Sequence, residues 1–293
     1  MFKIHNQYFF KSSTSYWLLI VLAVLCYMWG GFFSPHIYAE EPIVAGTSAI
    51  HSAVKDLTGK DTELAVVVPP DLCPGHFDLK PGDIEKFINA KLIILHTWQK
   101  DLPAIKSLIR GTKPSNDKII YIQVEGNWLV PKNYINGLEK IGTVLIKAGL
   151  LSEEDYKKQM DKRKKEISIF EQQILNNIKC FQPENIPVIT SIFQTDFTNW
   201  LGFKTVATFP RAEEITLSLW GDLIKKGKNA GVKIIIENLQ SGEIELVKRL
   251  STELNAYSVV LSGFPYTCPT CNSWESSVQN NINILLKVID NKS

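Results

Sequence analysis

Three cysteines and one histidine form two short pairs near opposite ends of the chain. Cys73 and His76 make one pair and Cys268 and Cys271 the other, each with two residues between its members. This spacing lets both side chains of a pair turn toward one ion, and zinc and copper(I) accept thiolate and imidazole ligands. Two such pairs supply the four ligands of a tetrahedral Cys₃His site. The sequence therefore predicts a zinc or copper site made of Cys73, His76, Cys268 and Cys271.

Two other interpretations of these cysteines stay open. In an oxidising compartment, Cys268 and Cys271 can form a disulfide that staples a loop. Cys271 also precedes a helix predicted from residue 272, and a helix N-terminus favours a thiolate. The pair is then a candidate for thiol–disulfide exchange in an envelope redox protein. The remaining cysteine outside the leader, Cys180, is expected to be a buried structural thiol or a partner for Cys73.

The first forty residues have the layout of an export signal. Lys3 and Lys11 lie in a polar leader, an apolar run covers 16–33, and Ala39 precedes two glutamates. This layout predicts a secretory signal peptide over 1–39, cleaved after Ala39. An uncleaved membrane anchor is the alternative, because about eighteen apolar residues just span a bilayer. In both cases we expect the rest of the chain outside the cytoplasm, in a periplasm or an equivalent compartment.

The charge of the exported part limits its partners. The 32 lysines and arginines lose two members with the signal, which leaves 30 against 30 aspartates and glutamates. A neutral body argues against nucleic acid or an anionic membrane as a partner, since both need clustered basic charge. No nucleophile–base set, phosphate loop or helical carboxylate pair is visible, so we expect no enzyme.

Strands and helices alternate in two parts of the chain. Apolar strand patterns separated by helices run from 42 to 124 and again from 188 to 288, which is typical of parallel sheets covered on both faces. Between them lie two predicted helices, 131–147 and a longer one over 152–179, about 40 Å long. The predicted fold is α/β, with two Rossmann-like lobes with parallel sheets joined by a long rigid helix. The predicted segments are signal 1–39, N-terminal lobe 40–130, connecting helices 131–186 and C-terminal lobe 187–293.

Several short segments, in order, resemble the solute-binding proteins of zinc and manganese ABC importers. They are the loop over 68–78, the Pro81 helix start, the Trp-Leu-Val-Pro over 128–131 and the Asn-Trp-Leu-Gly-Phe over 199–203. The resemblance implies a monomer that holds a transition-metal ligand, with zinc or copper as the candidates, in a cleft between the lobes and delivers it to the permease of an ABC importer in the membrane. It also implies that the loops with Cys73 and Cys268 line this cleft.

The chain departs from the resembled family at its ligand positions. The first-loop histidine falls at Gly75, with His76 one place later, and the second falls at Gly126. The third position holds Gln194, and the terminal aspartate is replaced by Ser262. The resemblance therefore predicts a divergent member that lacks the usual histidine ligands, and its ordinary metal site cannot be carried over.

Overall fold

The computed structural model describes residues 42–59, 62–242 and 244–290. The predicted signal peptide, its cleavage site and the alternative membrane anchor lie outside the described residues. Within the described ranges, no helix has both the length and the apolar character needed to cross a bilayer. The described residues, from 42 to 290, group into one compact unit, and the lobe boundaries at 130 and 187 stay a prediction.

The N-terminal lobe is a four-stranded parallel sheet in the order β2-β1-β3-β4. The central strands β1 and β3 are buried along their whole length, whereas the edge strands β2 and β4 are mostly half-buried. Its elements are β1 (Ile43–Ala45), α1 (Ser48–Thr58), β2 (Leu64–Val66), α2 (Pro81–Asn89), β3 (Leu92–His96), α3 (Pro103–Thr112) and β4 (Ile119–Ile122).

The C-terminal lobe repeats this arrangement, with four parallel strands in the order β6-β5-β7-β8. In both lobes the first strand sits between the second and the third. This confirms the predicted pair of Rossmann-like lobes. Its elements are β5 (Pro187–Ser191), α6 (Thr195–Trp200), β6 (Lys204–Phe209), α7 (Leu217–Ala230), β7 (Ile234–Asn238), α8 (Ile244–Leu254), β8 (Tyr257–Leu261) and α9 (Trp274–Asp290).

Two helices start later than the sequence predicts, because a side chain caps each at a later residue. The apolar pattern predicts a helix over 212–228. The structure has a 3₁₀ turn over Ala212–Glu214 followed by α7, for which Thr216 Oγ1 accepts a hydrogen bond from the Leu219 amide at 3.2 Å. The helix predicted from 272 begins at Trp274, where Ser273 Oγ accepts from the Ser276 amide at 3.1 Å. Both are ordinary N-caps that satisfy a free amide of the first turn.

Two helices connect the lobes, α4 (Pro131–Lys147) and α5 (Glu153–Lys179). Ser152 Oγ accepts from the Asp155 amide at 3.0 Å, and three acidic residues occupy the first turn, where the helix dipole favours them. The 27 residues of α5 are one unbroken helix. Its buried stripe includes Ile167, Ile174 and Ile178, which confirms the predicted long helix.

The largest hydrophobic core is shared by both lobes. It contains strand residues of both sheets, such as Ile94 and Ile236, together with buried residues of α4 and α5. Trp274 of α9 stacks on Tyr134 of α4 at 4.9 Å, and its indole N–H donates to the Trp128 carbonyl at 2.8 Å. Separating the lobes would therefore expose core surface of both.

One arginine of α5 ties both lobes to the connecting helix. Arg163 Nη2 lies 2.9 Å from Asp56 Oδ2 in α1 and 2.8 Å from Glu275 Oε1 in α9, and Nη1 lies 2.7 Å from Glu166 Oε2. The Tyr134 hydroxyl donates to the same Asp56 oxygen at 2.7 Å. Burial raises the pKa of Asp56, while the charge of Arg163 opposes that shift. The carboxylate therefore depends on Arg163 to stay charged in this position.

We expect Arg163→Met to lower the free energy of unfolding by about 2–3 kcal/mol, because it leaves two partly buried carboxylates without their cation. Lys162→Met is the matched control, since Lys162 makes only an exposed 3.8 Å pair with Glu166 and should cost below about 0.5 kcal/mol. Urea unfolding of both variants measures the difference. Equal costs would show that the Arg163 contacts contribute nothing beyond a surface ion pair.

Candidate functional site

A cavity of about 900 Å³ lies between the two lobes, at the carboxyl ends of both parallel sheets. The N-terminal lobe contributes residues at the ends of β3 and β4, and the C-terminal lobe those at the ends of β5, β7 and β8. Open α/β sheets bind ligands at this edge, because the loops that follow the strands converge there. The residues that line the cavity include Pro74, His96, Trp98, Asn127, Trp128, Phe193, Asp196, Arg211, Asn238, Gln240, Gly263 and Phe264.

Three buried amide side chains form a chain of hydrogen bonds across the cavity floor. Asn127 Nδ2 donates to Gln194 Oε1 at 3.3 Å and to the Phe193 carbonyl at 3.1 Å. Gln194 Nε2 donates to Asn238 Oδ1 at 2.8 Å, and Asn127 Oδ1 accepts from the Leu129 amide at 2.8 Å. Gln194 stands where the resemblance predicts a histidine ligand. Its amide joins strand ends of both lobes and is occupied by protein partners.

The amide of Gln240 also joins the lobes, and it lies beside Ser262, where the resemblance predicts an aspartate. Gln240 Nε2 donates to the Pro70 carbonyl of the N-terminal lobe at 2.7 Å and to Ser262 Oγ at 3.1 Å. Gln240 Oε1 accepts from the Gly263 amide at 2.8 Å. Ser262 is held further by Asn281, which accepts from its amide at 3.0 Å. The serine is therefore part of a satisfied neutral network in place of an anionic ligand.

Gly126 fills a position that has no room for a side chain. Its φ is +80°, a left-handed conformation that favours glycine. A Cβ built at Gly126 would overlap the side chains of Asp196 and Asn133. Asp196 comes from the other lobe and accepts from the Asn127 amide at 3.3 Å. A histidine at Gly126 would therefore require both a different backbone and a displaced Asp196.

The N-terminal wall of the cavity is aromatic and built around a buried histidine. His96 Nε2 lies 2.8 Å from Thr47 Oγ1, and the imidazole stacks on Trp98 with ring centroids 5.1 Å apart and an interplanar angle of 14°. Trp128 meets the same imidazole edge-on at 5.1 Å. Burial lowers the pKa of His96 to about 3, so the ring is neutral at physiological pH. Among the described residues, Nδ1 has no hydrogen-bond partner.

The C-terminal wall carries an exposed phenyl ring and a cation. The Arg211 guanidinium lies 5.4 Å from the centre of the Phe193 ring, within the range of a cation–π contact. A Cβ built at Gly75 would lie 3.5 Å from Arg211 Nη1, so this side chain reaches the 73–76 loop of the other lobe. Arg211 is half-buried and has no ion pair within the described ranges. It is the cationic group of the cavity wall.

The four predicted metal ligands are placed differently from the prediction. Cys268 and Cys271 are joined in a disulfide, Cys73 is a half-buried free thiol, and His76 is exposed. None of the four lines the cavity. In the part of the chain that the structure describes, no group of three or more histidine, cysteine, aspartate or glutamate side chains can hold a metal ion.

The disulfide occupies two of the four predicted ligands, and the four-ligand site stays a prediction for the reduced chain. A sulfur atom bonded to another sulfur carries no thiolate, and metal ligation by cysteine needs the thiolate. The local disulfide named as an alternative is what the structure has. Cys180, expected to be buried or paired with Cys73, is instead an exposed free thiol at the end of α5.

The cavity also contains residues that sequence reasoning passed over. A sequence signal exists for His96, which ends β3, and for Trp98 just after it, because open α/β sheets bind ligands at the carboxyl ends of their strands. Asn238 carried the same signal, because it ends β7. Arg211 lies in an irregular segment after β6, where no periodic pattern points to the cleft.

Comparisons with known proteins agree on the family and the fold. A family model described as zinc-uptake complex component A, periplasmic, matches residues 43–288. A search of curated proteins found no match. Manganese-bound (mutant) and cadmium-bound forms of a periplasmic metal-binding protein from Candidatus Liberibacter asiaticus each align with TM-score 0.69 and 14% identity, covering 85% of this chain and 100% of theirs. A mutant laminin-binding adhesin of Streptococcus agalactiae aligns with TM-score 0.66 and 13% identity, at 85% and 100% coverage. At these identities the structures show a shared fold.

Buried neutral His96 should make stability depend on pH. Its folded-state pKa is lowered to about 3 from 6.5, so below pH 6.5 only the unfolded chain takes up the proton. The stability that the neutral imidazole contributes is fully present above pH 6.5. As the pH falls from 6.5 toward 3, the free energy of unfolding decreases by about 1.4 kcal/mol per pH unit. Between pH 6.5 and 4.5 we expect His96→Gln to lose about 2 kcal/mol less stability than the natural chain.

Urea unfolding at a series of pH values measures this difference. His76→Gln is the matched control for removal of an exposed imidazole. Identical slopes for the His96 variant and the natural chain would contradict a buried neutral imidazole.

Proposed function

The chain belongs to the zinc-uptake complex component A periplasmic family, and from this membership we propose that it is the extracytoplasmic solute-binding protein of an ABC importer. Its solute lies in the cavity between the lobes, and a membrane permease receives it. The chain performs no chemical step and acts as a monomer. The observation that carries this proposal is the cavity of about 900 Å³ formed by the carboxyl ends of both sheets.

A transition metal is the cargo that the family supports. The family description names zinc uptake, and solved structures of the same fold are titled as manganese- and cadmium-bound periplasmic metal-binding proteins. The export signal predicted over 1–39 supports a location outside the cytoplasm, where such cargo arrives. Capture and release need no catalytic group, and the amide network and aromatic walls of the cavity supply none.

A direct metal site from Cys73, His76, Cys268 and Cys271 is proposed for the reduced chain only. Reduction of the disulfide releases two thiols, and the loops that hold them must then meet the 73–76 loop. Such a set suits zinc or copper(I).

The reduced chain tests this set directly. Starting at Glu40 and unfolded without reductant, the chain should show two free thiols, and four after reduction. If the four residues form one site, the reduced folded chain should bind one Zn²⁺. Cys268→Ser and His76→Gln should then weaken binding equally, while Cys180→Ser should leave it unchanged. Equal zinc binding by all three variants would exclude the shared site.

The disulfide also favours a second candidate function. Cys271 is 3% exposed and Cys268 is half-buried, so one sulfur of the Cys-Pro-Thr-Cys pair is accessible for exchange. An envelope redox protein would use this pair. Its reduction potential distinguishes a structural disulfide from a catalytic one. Structural disulfides have potentials below about −300 mV, and catalytic ones have higher potentials.

The importer role can be tested by metal accumulation in cells. Deletion of the gene in its source organism should lower the cellular content of zinc, manganese or copper when external metal is scarce. The natural chain should restore it. Ser241→Trp should not, because Ser241 lines the cavity and an indole there fills space that the solute needs.

Arg249→Gln provides the control, since Arg249 lies in a separate groove on the outer face of the C-terminal lobe. This variant should restore metal content fully. An unchanged content of all three metals in the deletion strain would contradict a metal cargo.

A further inference from the structure

The cavity is too large and too poor in metal ligands for a bare ion. A volume of about 900 Å³ lies in the range of pockets for small organic molecules, about 300–1,000 Å³. A transition metal needs several donor atoms that converge at about 2 Å, and the described residues contain no such group. The oxygens of Asn127, Gln194 and Gln240 already accept hydrogen bonds from protein groups. The cavity must therefore recognise its solute through other contacts.

Two aromatic side chains stay exposed in this cavity, one from each lobe. Trp98 is 44% exposed although His96 stacks on it, and Phe193 is 38% exposed. Leaving such area in water is unfavourable by about 25 cal/mol for each Å², so a flat solute that covers it gains binding free energy. Planar rings stack on indole and phenyl faces in offset or edge-on geometry. The walls therefore fit a solute with a flat ring.

Arg211 is the one cation among the described residues that line the cavity. Three carboxylates also line it, but each has a protein partner. Asp101 pairs with Lys106 at 3.0 Å, Glu125 accepts from Gln123 at 3.1 Å, and Asp196 accepts from the Asn127 amide at 3.3 Å. Among the described residues, Arg211 makes a cation–π contact with the Phe193 ring and forms no ion pair with a carboxylate. A guanidinium binds a carboxylate through two parallel hydrogen bonds.

We infer that the cleft binds a small organic carboxylate with a flat ring, as the free acid or as its metal chelate, and does not bind a bare metal ion. Arg211 holds the carboxylate, and Trp98 and Phe193 cover the ring. This inference rests on the proposed function and names the solute class of the same cavity. A chelate would bring its own metal ligands, which accounts for a metal-uptake fold without a protein metal site.

Calorimetric titration and tryptophan fluorescence of the oxidised chain from Glu40 test the inference. The probes are benzoate, picolinate, picolinate with equimolar Zn²⁺, and Zn²⁺ alone. We expect at least one ring carboxylate to bind at one molecule per chain and quench Trp98. Arg211→Gln should weaken that binding at least about tenfold, as should Trp98→Ala, whereas Trp98→Phe should retain it. Arg249→Gln should match the natural chain.

The outcomes separate the possible solutes. Binding of picolinate without metal identifies the free acid as the solute and contradicts the metal cargo proposed above. Binding only with Zn²⁺ present identifies the chelate and agrees with that cargo. Tight binding of Zn²⁺ alone that is unchanged in Arg211→Gln overturns the inference and leaves the importer proposal intact. Failure of every ring carboxylate also overturns it. Metal accumulation in cells is measured independently of these probes, so failure of the importer proposal is recognised separately.

Discussion

The ion cluster of Arg163 fixes the geometry on which the cleft depends. One guanidinium on the long helix pairs with Asp56 of the N-terminal lobe and Glu275 of the C-terminal lobe. Taking these charges out of water is tolerable only because they meet in one place and because Tyr134 completes the hydrogen bonds of Asp56. The shared core around Trp274 adds to this constraint. The lobes therefore have little freedom to separate.

Fixed lobes explain why amides can bridge the cavity floor. The bond of Gln240 to the Pro70 carbonyl and that of Asn127 to Gln194 both cross between lobes, and each needs its partners held within a few tenths of an ångström. A hinge with large opening would break these bonds at every cycle and expose buried polar atoms. Large rotations of whole lobes are therefore incompatible with these bonds.

The sequence predicted the architecture well because repeating patterns carry it. Alternating apolar strands and helices predicted both parallel sheets, and the long helix predicted over 152–179 is α5. The site was harder to predict, since it depends on single side chains brought together from distant loops. Spacing alone does not distinguish a Cys-x-x-Cys metal pair from a disulfide, and here the sulfurs are joined. Arg211 lies in a segment without periodicity, and only the folded chain shows that it faces the other lobe.

Gly126, Gln194 and Ser262 stand where the resemblance predicts metal ligands, and each is supported by its neighbours. Gly126 gives room to Asp196, Gln194 bonds to Asn127 and Asn238, and Ser262 bonds to Gln240. Each replacement is thus supported by neighbours that occupy the space or the hydrogen bonds of a metal ligand. A partly satisfied buried network is worse than none, so the replacements are stable only as a set. A single histidine restored at one position would meet occupied space, and it would find no second or third ligand beside it. Neutral hydrogen bonds therefore hold the cleft together, which is consistent with the proposed solute, recognised by its ring and its carboxylate.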